Sequence, residues 1–356
     1  MLEENNNFNT QPQLEQNPPP RQETPLEYTN PYGFSPEIHR EKRDIRRTAL
    51  AVGIPCVCLS LITYLWSAVY LFITIKLMGM STSQAVSLAD NPAAQQVLQI
   101  ALSMLMFLVP FPIAARCAGY RIDSLISTKK PLVGTALPLF LFGIGFCSFS
   151  NLAMSYCSAF FKGIGIDYNV DYGDNPSGVF GFLLSFIATA IVPALVEEFA
   201  CRGIVLGMLK KYGEVFAIIV SSIVFGVMHG NLDQMPFAIM VGLILGYIYV
   251  KSGSIWVSVA VHCANNAISV IFSYLENAVS TNTQNLIYIL YLAASMLAAV
   301  LGVYILAKKH SAEIYSLKNA ETASAQKQKY TWFFTSWVII VFLALNLIQS
   351  LTYFFV

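Results

Sequence analysis

Apolar residues along this chain form long runs that are separated by short polar segments. About nine runs are long enough, or nearly so, to cross the ~30 Å apolar core of a bilayer as helices. The fifth and sixth runs, at about 15 residues, are short for a span. The pattern predicts helices at 48–77, 96–117, 132–160, 178–209, 215–229, 236–250, 254–275, 285–307 and 331–352.

The composition supports a membrane protein. Of the 356 residues, 56% are hydrophobic and 12% are charged, and the mean hydropathy is +0.58. Soluble domains carry about 25% charged residues. With a net charge of +1, the chain lacks the concentrated basic face that nucleic-acid binding requires. We therefore predict an all-α, polytopic transmembrane helix bundle of about eight to nine spans, whose partner is the lipid bilayer and not nucleic acid.

Basic residues are concentrated in alternate connecting segments. They lie before the first run, between the second and third, and after the fourth, sixth and eighth, whereas the intervening segments are mainly acidic. The positive-inside rule then places the N-terminus in the cytoplasm. We expect a multi-pass integral protein of the plasma membrane of a bacterium. The basic positions are Arg40, Lys42, Arg43, Arg46, Arg47, Arg121, Lys129, Lys130, Lys210, Lys211, Lys251, Lys308, Lys309, Lys318, Lys327 and Lys329.

The chain divides into four regions. Residues 1–47 are predicted to be a disordered cytoplasmic tail, because residues 1–38 are rich in Asn, Gln, Pro and Glu and cannot build a core; the tail ends in a basic juxtamembrane cluster. N-terminal transmembrane helices follow over 48–177. Residues 178–275 carry the candidate chemistry. Residues 276–356 form C-terminal transmembrane helices with a polar cytoplasmic linker over 308–330.

Three charged residues interrupt the fourth apolar run, in the stretch VPALVEEFACRGIVLG. One charge near mid-membrane costs about 2.5–3.5 kcal/mol on insertion scales. Glu198 and Arg202 share one helix face and can neutralise each other. Glu197 lies about 100° away on another face, without a basic partner one turn later. We predict a structural ion pair and a second carboxylate that faces a cavity.

Two histidines also lie in or at the end of apolar runs. His229 ends the fifth run, and His262 lies in the seventh with Asn266 one turn later on the same face. At ~1.5 Å per residue from the cytoplasmic ends, Glu197, His229 and His262 are about 12–21 Å deep. We expect them to meet at one level, nearer the cytoplasm, in a site whose entrance faces the cytoplasm.

A glutamate, two histidines and an asparagine can together hydrolyse a bond. Glu197 can deprotonate a water molecule, and the amide of Asn266 can donate to the developing oxyanion. His229 and His262 can hydrogen-bond the water and the oxyanion. With Glu197, these two histidines also fit a zinc shell with an open position. The sequence leaves the metal-dependent and metal-free versions open.

The residues resemble a known family at this point. Glu197-Glu198-x-x-x-Arg202, then Phe225-x-x-x-His229, then His262-x-x-x-Asn266 is similar to the motif set of the CPBP family of intramembrane proteases. This family includes the type II CAAX prenyl endopeptidases and the bacteriocin-processing Abi proteins. All three motifs are complete and in order. The resemblance covers roughly residues 180–275, a CPBP/CAAX protease-like catalytic core.

The resemblance implies an activity and a role for each motif residue. Glu197 activates the water, with His229, His262 and Asn266 around it, and Glu198 and Arg202 support the site. The expected reaction is endoproteolysis of a membrane-associated peptide or protein, either a prenylated CAAX-type substrate or a leader-bearing peptide. The family is described both as metal-dependent, with zinc as the expected ion, and as glutamate-dependent.

Other interpretations remain for the same residues. Intramembrane Glu, His and Arg side chains also form proton relays, so the chain can instead be a proton-coupled transporter or a non-catalytic immunity or scaffold protein. Either histidine can be a structural residue that bonds to the backbone or to another helix. Phe225 is assigned to packing, and Asn265 is expected to point away from the site. The sequence contains neither His-Glu-x-x-His nor Gly-x-Ser-x-Gly.

Overall fold

The computed structural model describes residues 35–165, 174–310 and 316–353. Within these ranges the regular elements are all helices, which confirms the predicted fold class. Residues 1–34 of the predicted tail and 311–315 of the predicted linker lie outside the described residues. The helices are α1 (Pro36–Leu77), α2 (Thr82–Ala89), α3 (Pro92–Cys117), α4 (Ile122–Leu125), α5 (Val133–Gly163), α6 (Gly178–Tyr212), α7 (Glu214–Val227), α8 (Met235–Ser252), α9 (Ile255–Ala278), α10 (Thr281–His310), α11 (Gln326–Phe334) and α12 (Trp337–Thr352).

The number of spans is close to the prediction. Among the described residues, 7 helices are long and apolar enough to cross a membrane, or 8 if the pair α11 and α12, bent by 67°, counts as one span. The fifth apolar run forms α7, which has only 14 residues, as the short run predicts. The sixth run forms α8, which at 18 residues is long enough. The chain is therefore an integral, multi-pass membrane protein.

The first helix begins earlier than predicted, which corrects the boundary of the tail. Residues 36–47 were assigned to a disordered segment, but they form the first turns of α1. The side chain of Ser35 accepts a hydrogen bond from the Ile38 amide, and Pro36 takes the first helical position, so the helix start is capped. Asp44 then accepts hydrogen bonds from Lys211 and Tyr212, which hold this part of α1 against the end of α6.

The basic connecting segments meet at one end of the bundle, here called the basic end. Besides the contact of Asp44 with Lys211, Lys329 donates to the Tyr212 carbonyl at 2.9 Å, and the Lys318 amide donates to Glu214 at 2.8 Å. The opposite end, here called the acidic end, carries four acidic and two basic residues in the described ranges: Asp90, Asp174, Asp233, Glu276, Lys76 and Lys162. The basic and acidic segments that alternate along the sequence thus lie at opposite ends of the folded bundle.

Helix α6 is the central element that carries the charged stretch. Its residues 200–206 are all buried, and helices α3, α7, α8 and α9 surround it. Two segments of α6, Phe186–Ile191 and Phe199–Leu206, are π-helical. Such widened turns are rare and occur frequently at functional sites. The second one begins directly after the paired glutamates.

Helices α5 and α10 pack through their backbones. A Cβ atom on Gly145 would lie 2.3 Å from the Ala299 Cβ, and one on Gly302 would lie 2.6 Å from the Pro138 carbonyl oxygen. Close approach of this kind replaces the hydrophobic effect as the source of helix association in lipid. By contrast, nothing lies within 4 Å of a Cβ built on Gly163.

We predict that Gly145→Ala destabilises the bundle and that Gly163→Ala does not. Overpacking of a tight contact typically costs about 1–3 kcal/mol, and the Ala299 side chain is too short to move away. Thermal unfolding of both variants in detergent measures the difference. Equal melting temperatures would show that α5 and α10 are not in direct backbone contact.

Candidate active site

A buried carboxylate organises the site. Glu198 and Arg202 are both 0% exposed, and Arg202 Nη1 donates to Glu198 Oε1 at 2.8 Å in the ion pair that the spacing predicts. The same Oε1 lies 3.0 Å from His262 Nδ1. Arg202 Nη2 also donates to the Gly242 carbonyl at 3.1 Å. One ion pair therefore connects α6, α8 and α9.

Phe225 of α7 lies between the other side chains of the site. The Arg202 guanidinium is 4.4 Å from the centre of its ring. The rings of His229 and His262 meet it edge to face, at 5.1 Å and 5.8 Å between centroids. Phe225 is thus a packing residue, as the sequence predicts, but its neighbours are the ionisable groups themselves. Its position fixes the distance between the two histidines.

Glu197 differs from Glu198 in both burial and contacts. Its side chain is 17% exposed, and its Oε2 lies 3.8 Å from His262 Nε2, which is too far for a direct hydrogen bond. Glu197 and His229 both line a large cavity. The structure therefore brings Glu197, His229 and His262 together, and it turns only one of the two glutamates toward open space.

The hydrogen bonds of the two histidines decide their tautomers. His229 Nδ1 lies 2.9 Å from the Phe225 carbonyl oxygen, and His262 Nδ1 faces the Glu198 carboxylate. Both of these partners are acceptors, so each Nδ1 carries the proton and each Nε2 presents a lone pair when the ring is neutral. The two Nε2 atoms can therefore accept hydrogen bonds from a water molecule. In this tautomer the two Nε2 atoms do not donate to an oxyanion. Of the two roles expected from the sequence, the neutral rings therefore keep the contact with the water and lose the contact with the oxyanion.

Asn266 belongs to a chain of amides that the sequence did not reveal. Its carbonyl oxygen accepts from Asn265 at 3.1 Å, and its amide donates to the Thr189 carbonyl at 3.0 Å. Asn265 in turn accepts from Asn151 at 3.3 Å. The expectation that Asn265 points away was wrong, because its side chain turns along the helix toward its neighbour. The chain orients the amide of Asn266, which has a second N–H to donate.

The expected zinc site is only partly matched by the donor groups. A histidine that binds a metal usually donates its other ring N–H to a carboxylate or carbonyl, and both His229 and His262 do so. However, no group of three His, Cys, Asp or Glu side chains in the described part of the chain is placed to hold a metal ion. Glu197, His229 and His262, as they are placed, therefore do not fit a zinc shell.

The cavity that reaches Glu197 has a volume of about 1100 Å³ and lies between α1 and α3. Its α1 lining runs from Leu59 to Thr74, with Met78 just after the helix, and its α3 lining runs from Ala93 to Phe107. These are the halves of both helices away from the basic end. The cavity thus extends toward the acidic end, which contradicts the expected entrance at the basic, cytoplasmic side. The expected entrance is absent from the described residues on that side because buried side chains of the bundle core, such as Leu206, Leu209 and Phe216, fill it.

Known proteins match the part of the chain that holds this site. Residues 179–268 match the family model described as type II CAAX prenyl endopeptidase Rce1-like. Because of this similarity, residues 179–268 are here called the Rce1-like segment. This match confirms the resemblance drawn from the three motifs, all of which lie inside the Rce1-like segment.

One curated relative of the chain is a Bacillus subtilis (strain 168) protein named "Putative membrane peptidase YdiL", which is 32% identical over 116 residues. The match covers 31% of this chain and 47% of the relative, so the chain spans about half the length of the relative. No solved structure matches the chain.

We predict that Glu198→Gln and Arg202→Met each destabilise the protein, because each leaves one uncompensated buried charge, at a cost of about 3–5 kcal/mol. The double variant should lose less than the sum of the two, because it leaves neither charge buried without its partner. Thermal unfolding in detergent gives all three values.

The exposed Arg121–Asp123 pair, 2.8 Å apart with 82% and 68% of the side chains exposed, is the matched control. Asp123→Asn should change the melting temperature little, because solvent screens an exposed ion pair. Strictly additive losses at Glu198 and Arg202 would contradict their coupling.

Proposed function

We propose that this protein is an intramembrane endopeptidase that hydrolyses a peptide bond of a membrane-associated substrate with a water molecule activated by Glu197. One observation carries the proposal: of the two adjacent glutamates, Glu198 is held by Arg202 and His262, while Glu197 faces the cavity beside a ring nitrogen of His262. The Rce1-like match of residues 179–268 supports it, as does the name of the Bacillus subtilis relative.

The chemistry follows from the lone pairs and protons of the site. A water molecule beside Glu197 gives one proton to that carboxylate and directs its other proton toward His262 Nε2. The water oxygen then attacks the peptide carbonyl carbon, and the carbonyl π electrons move to the oxygen. An amide N–H of Asn266 stabilises this oxyanion. When the C–N bond breaks, the protonated Glu197 gives its proton to the leaving amine.

The substrate class is proposed from the surroundings of Glu197. The cavity is lined mainly by apolar side chains of α1, α3 and α6, so a peptide with an apolar segment or a lipid group can reach Glu197 without leaving the membrane. Prenylated CAAX-type proteins and leader-bearing peptides, including bacteriocin precursors, both have this character. Zinc dependence is a separate question, which a chelator series with zinc add-back measures on the purified protein.

We predict that Glu197→Gln abolishes peptide cleavage without unfolding the protein. A general base contributes about 10²–10⁴ in rate, and Glu197 takes no part in the buried ion pair. Turnover of quenched fluorescent peptides with an apolar anchor, measured in detergent beside a melting curve, tests this. Glu276→Gln, at the acidic end of α9, is the control and should keep wild-type turnover. Unchanged turnover of the Glu197 variant would favour a non-catalytic membrane protein.

We also predict different losses at the two α9 positions of the site. Asn266→Ala should lower kcat by about 10²–10³ with a small change in KM, because one oxyanion donor is lost. His262→Ala should lose nearly all activity, since it removes both the water acceptor and the partner of Glu198. Single-turnover rates on the same peptides distinguish the partial loss in Asn266→Ala from the nearly complete loss in His262→Ala. Near wild-type rates for both His262→Ala and His229→Ala would show that the active site lies elsewhere in the protein.

A further inference from the structure

We propose that the substrate peptide binds in an extended form between α1 and α3, and that it reaches Glu197 from the acidic-end half of the membrane. This inference rests on the proposed endopeptidase function and adds where the peptide lies and from which side it comes. Four features of the described residues carry it: continuity with Glu197, polar positions along both walls, the packed basic end and the placement of α2.

Each wall of the cavity carries polar side chains at a spacing of one helical turn. On α1 these are Thr63 and Ser67, and on α3 they are Gln95, Gln99 and Ser103. Residues four apart share one helix face, so each set forms a stripe that faces the cavity. In the described part of the protein, the side chains of Ser67, Gln99 and Ser103 have no hydrogen-bond partner, although the surrounding walls are apolar. Unpaired polar groups in an apolar wall are suited to a polar ligand.

The backbone of an extended peptide offers hydrogen-bond partners for the unpaired side chains of these stripes. Its backbone N–H and C=O groups must be satisfied inside the apolar layer, where each unpaired group costs several kcal/mol. Hydroxyl and amide side chains can both donate and accept, so two facing stripes can pair with a backbone of any sequence. The apolar wall between them accommodates apolar side chains or a lipid group. The cavity volume of about 1100 Å³ exceeds the usual range for small-molecule pockets, which is about 300–1,000 Å³.

The basic end offers the peptide no comparable route. Below Glu197, the side chains of Ile204, Leu206 and Leu209 are 0% exposed, as is Phe216 of α7. Closer to the surface, Lys329 is also fully buried and bonded to the Tyr212 carbonyl. A peptide coming from this side would have to displace the core of the bundle.

The acidic end is where the cavity has its rim. Helix α2, which connects α1 to α3 at that end, contributes Val86, Leu88 and Ala89 to the lining. Phe180, at the start of α6, lines the cavity as well and is 75% exposed. The charge asymmetry assigns the basic end to the cytoplasm, so the peptide comes from the opposite leaflet. Of the two proposed substrate classes, this route favours a leader-bearing peptide over a prenylated protein anchored on the cytoplasmic side.

Thiol labelling tests the side from which the cavity is reached. Ser67→Cys and Gln99→Cys place one thiol on each wall, and Thr128→Cys, at the basic end, is the matched control. A membrane-impermeant maleimide is applied to intact cells and to inverted vesicles, and labelling of the wild-type protein is subtracted. We expect the two cavity thiols to react from the side opposite to Thr128→Cys. Reaction of all three from the same side would overturn the proposed route.

Peptide capture tests the occupant without requiring cleavage. An acylated decapeptide with a photoreactive side chain is cross-linked to Glu197→Gln protein, and the attached segment is mapped by mass spectrometry. We expect attachment to α1 and α3, with a loss of at least tenfold when Ser67→Trp fills the cavity. Leu65→Trp, on the lipid-facing side of α1 with 55% of the residue exposed, is the control and should cross-link as before.

These experiments distinguish a failure of the proposed endopeptidase function from a failure of the proposed binding site between α1 and α3. If the peptide is captured between α1 and α3 but wild-type protein never cleaves any anchored peptide, the endopeptidase proposal fails and the binding site stands. If cleavage proceeds while Ser67→Trp changes neither capture nor KM, the function stands and the binding site between α1 and α3 is overturned.

Discussion

The site depends on one carboxylate oxygen. Glu198 Oε1 accepts from Arg202 and from His262 inside a fully buried part of the bundle. A charge at this depth is tolerated only when it is paired, so the three side chains must stay together for the protein to fold. Arg202 extends the same constraint to the Gly242 carbonyl and the Phe225 ring. The ring nitrogen that faces Glu197 is therefore positioned by a requirement of folding.

Helix geometry explains what the sequence could predict. Glu198 and Arg202 are one turn apart, so their pairing needs no knowledge of the tertiary structure. The same geometry turns Glu197 to a different face, and the cavity lies on that face. The order of the membrane-spanning helices, and roughly their number, followed from the apolar runs, because a span needs about 20 apolar residues. These features depend on local spacing alone.

The features that were missed depend on contacts between distant segments. Asn151 and Asn265 are 114 positions apart, and only the packing of α5 on α9 turns them into one chain with Asn266. The start of α1 was set too late because the tail composition outweighed the Ser35 cap. Counting residues from the cytoplasmic ends could not show which side of Glu197 is filled by packed side chains. The sequence did contain one sign of the amide chain, which is the presence of polar residues such as Asn151 inside apolar runs.

The short helix α7 has a consequence for how the bundle is built around it. Its 14 residues make it about 21 Å long, which is shorter than the ~30 Å apolar layer. The turn that follows, with His229, Asn231 and Gln234, therefore ends at a depth where lipid chains would otherwise lie. Eleven of the 14 residues of α7 are buried, so neighbouring helices surround this short element, and Asn231 bonds to the His229 carbonyl and to Gln234 within the turn. An apolar layer would not tolerate this polar turn if lipid reached it, so the helices around α7 act as insulation that lets polar groups sit at the end of a short helix.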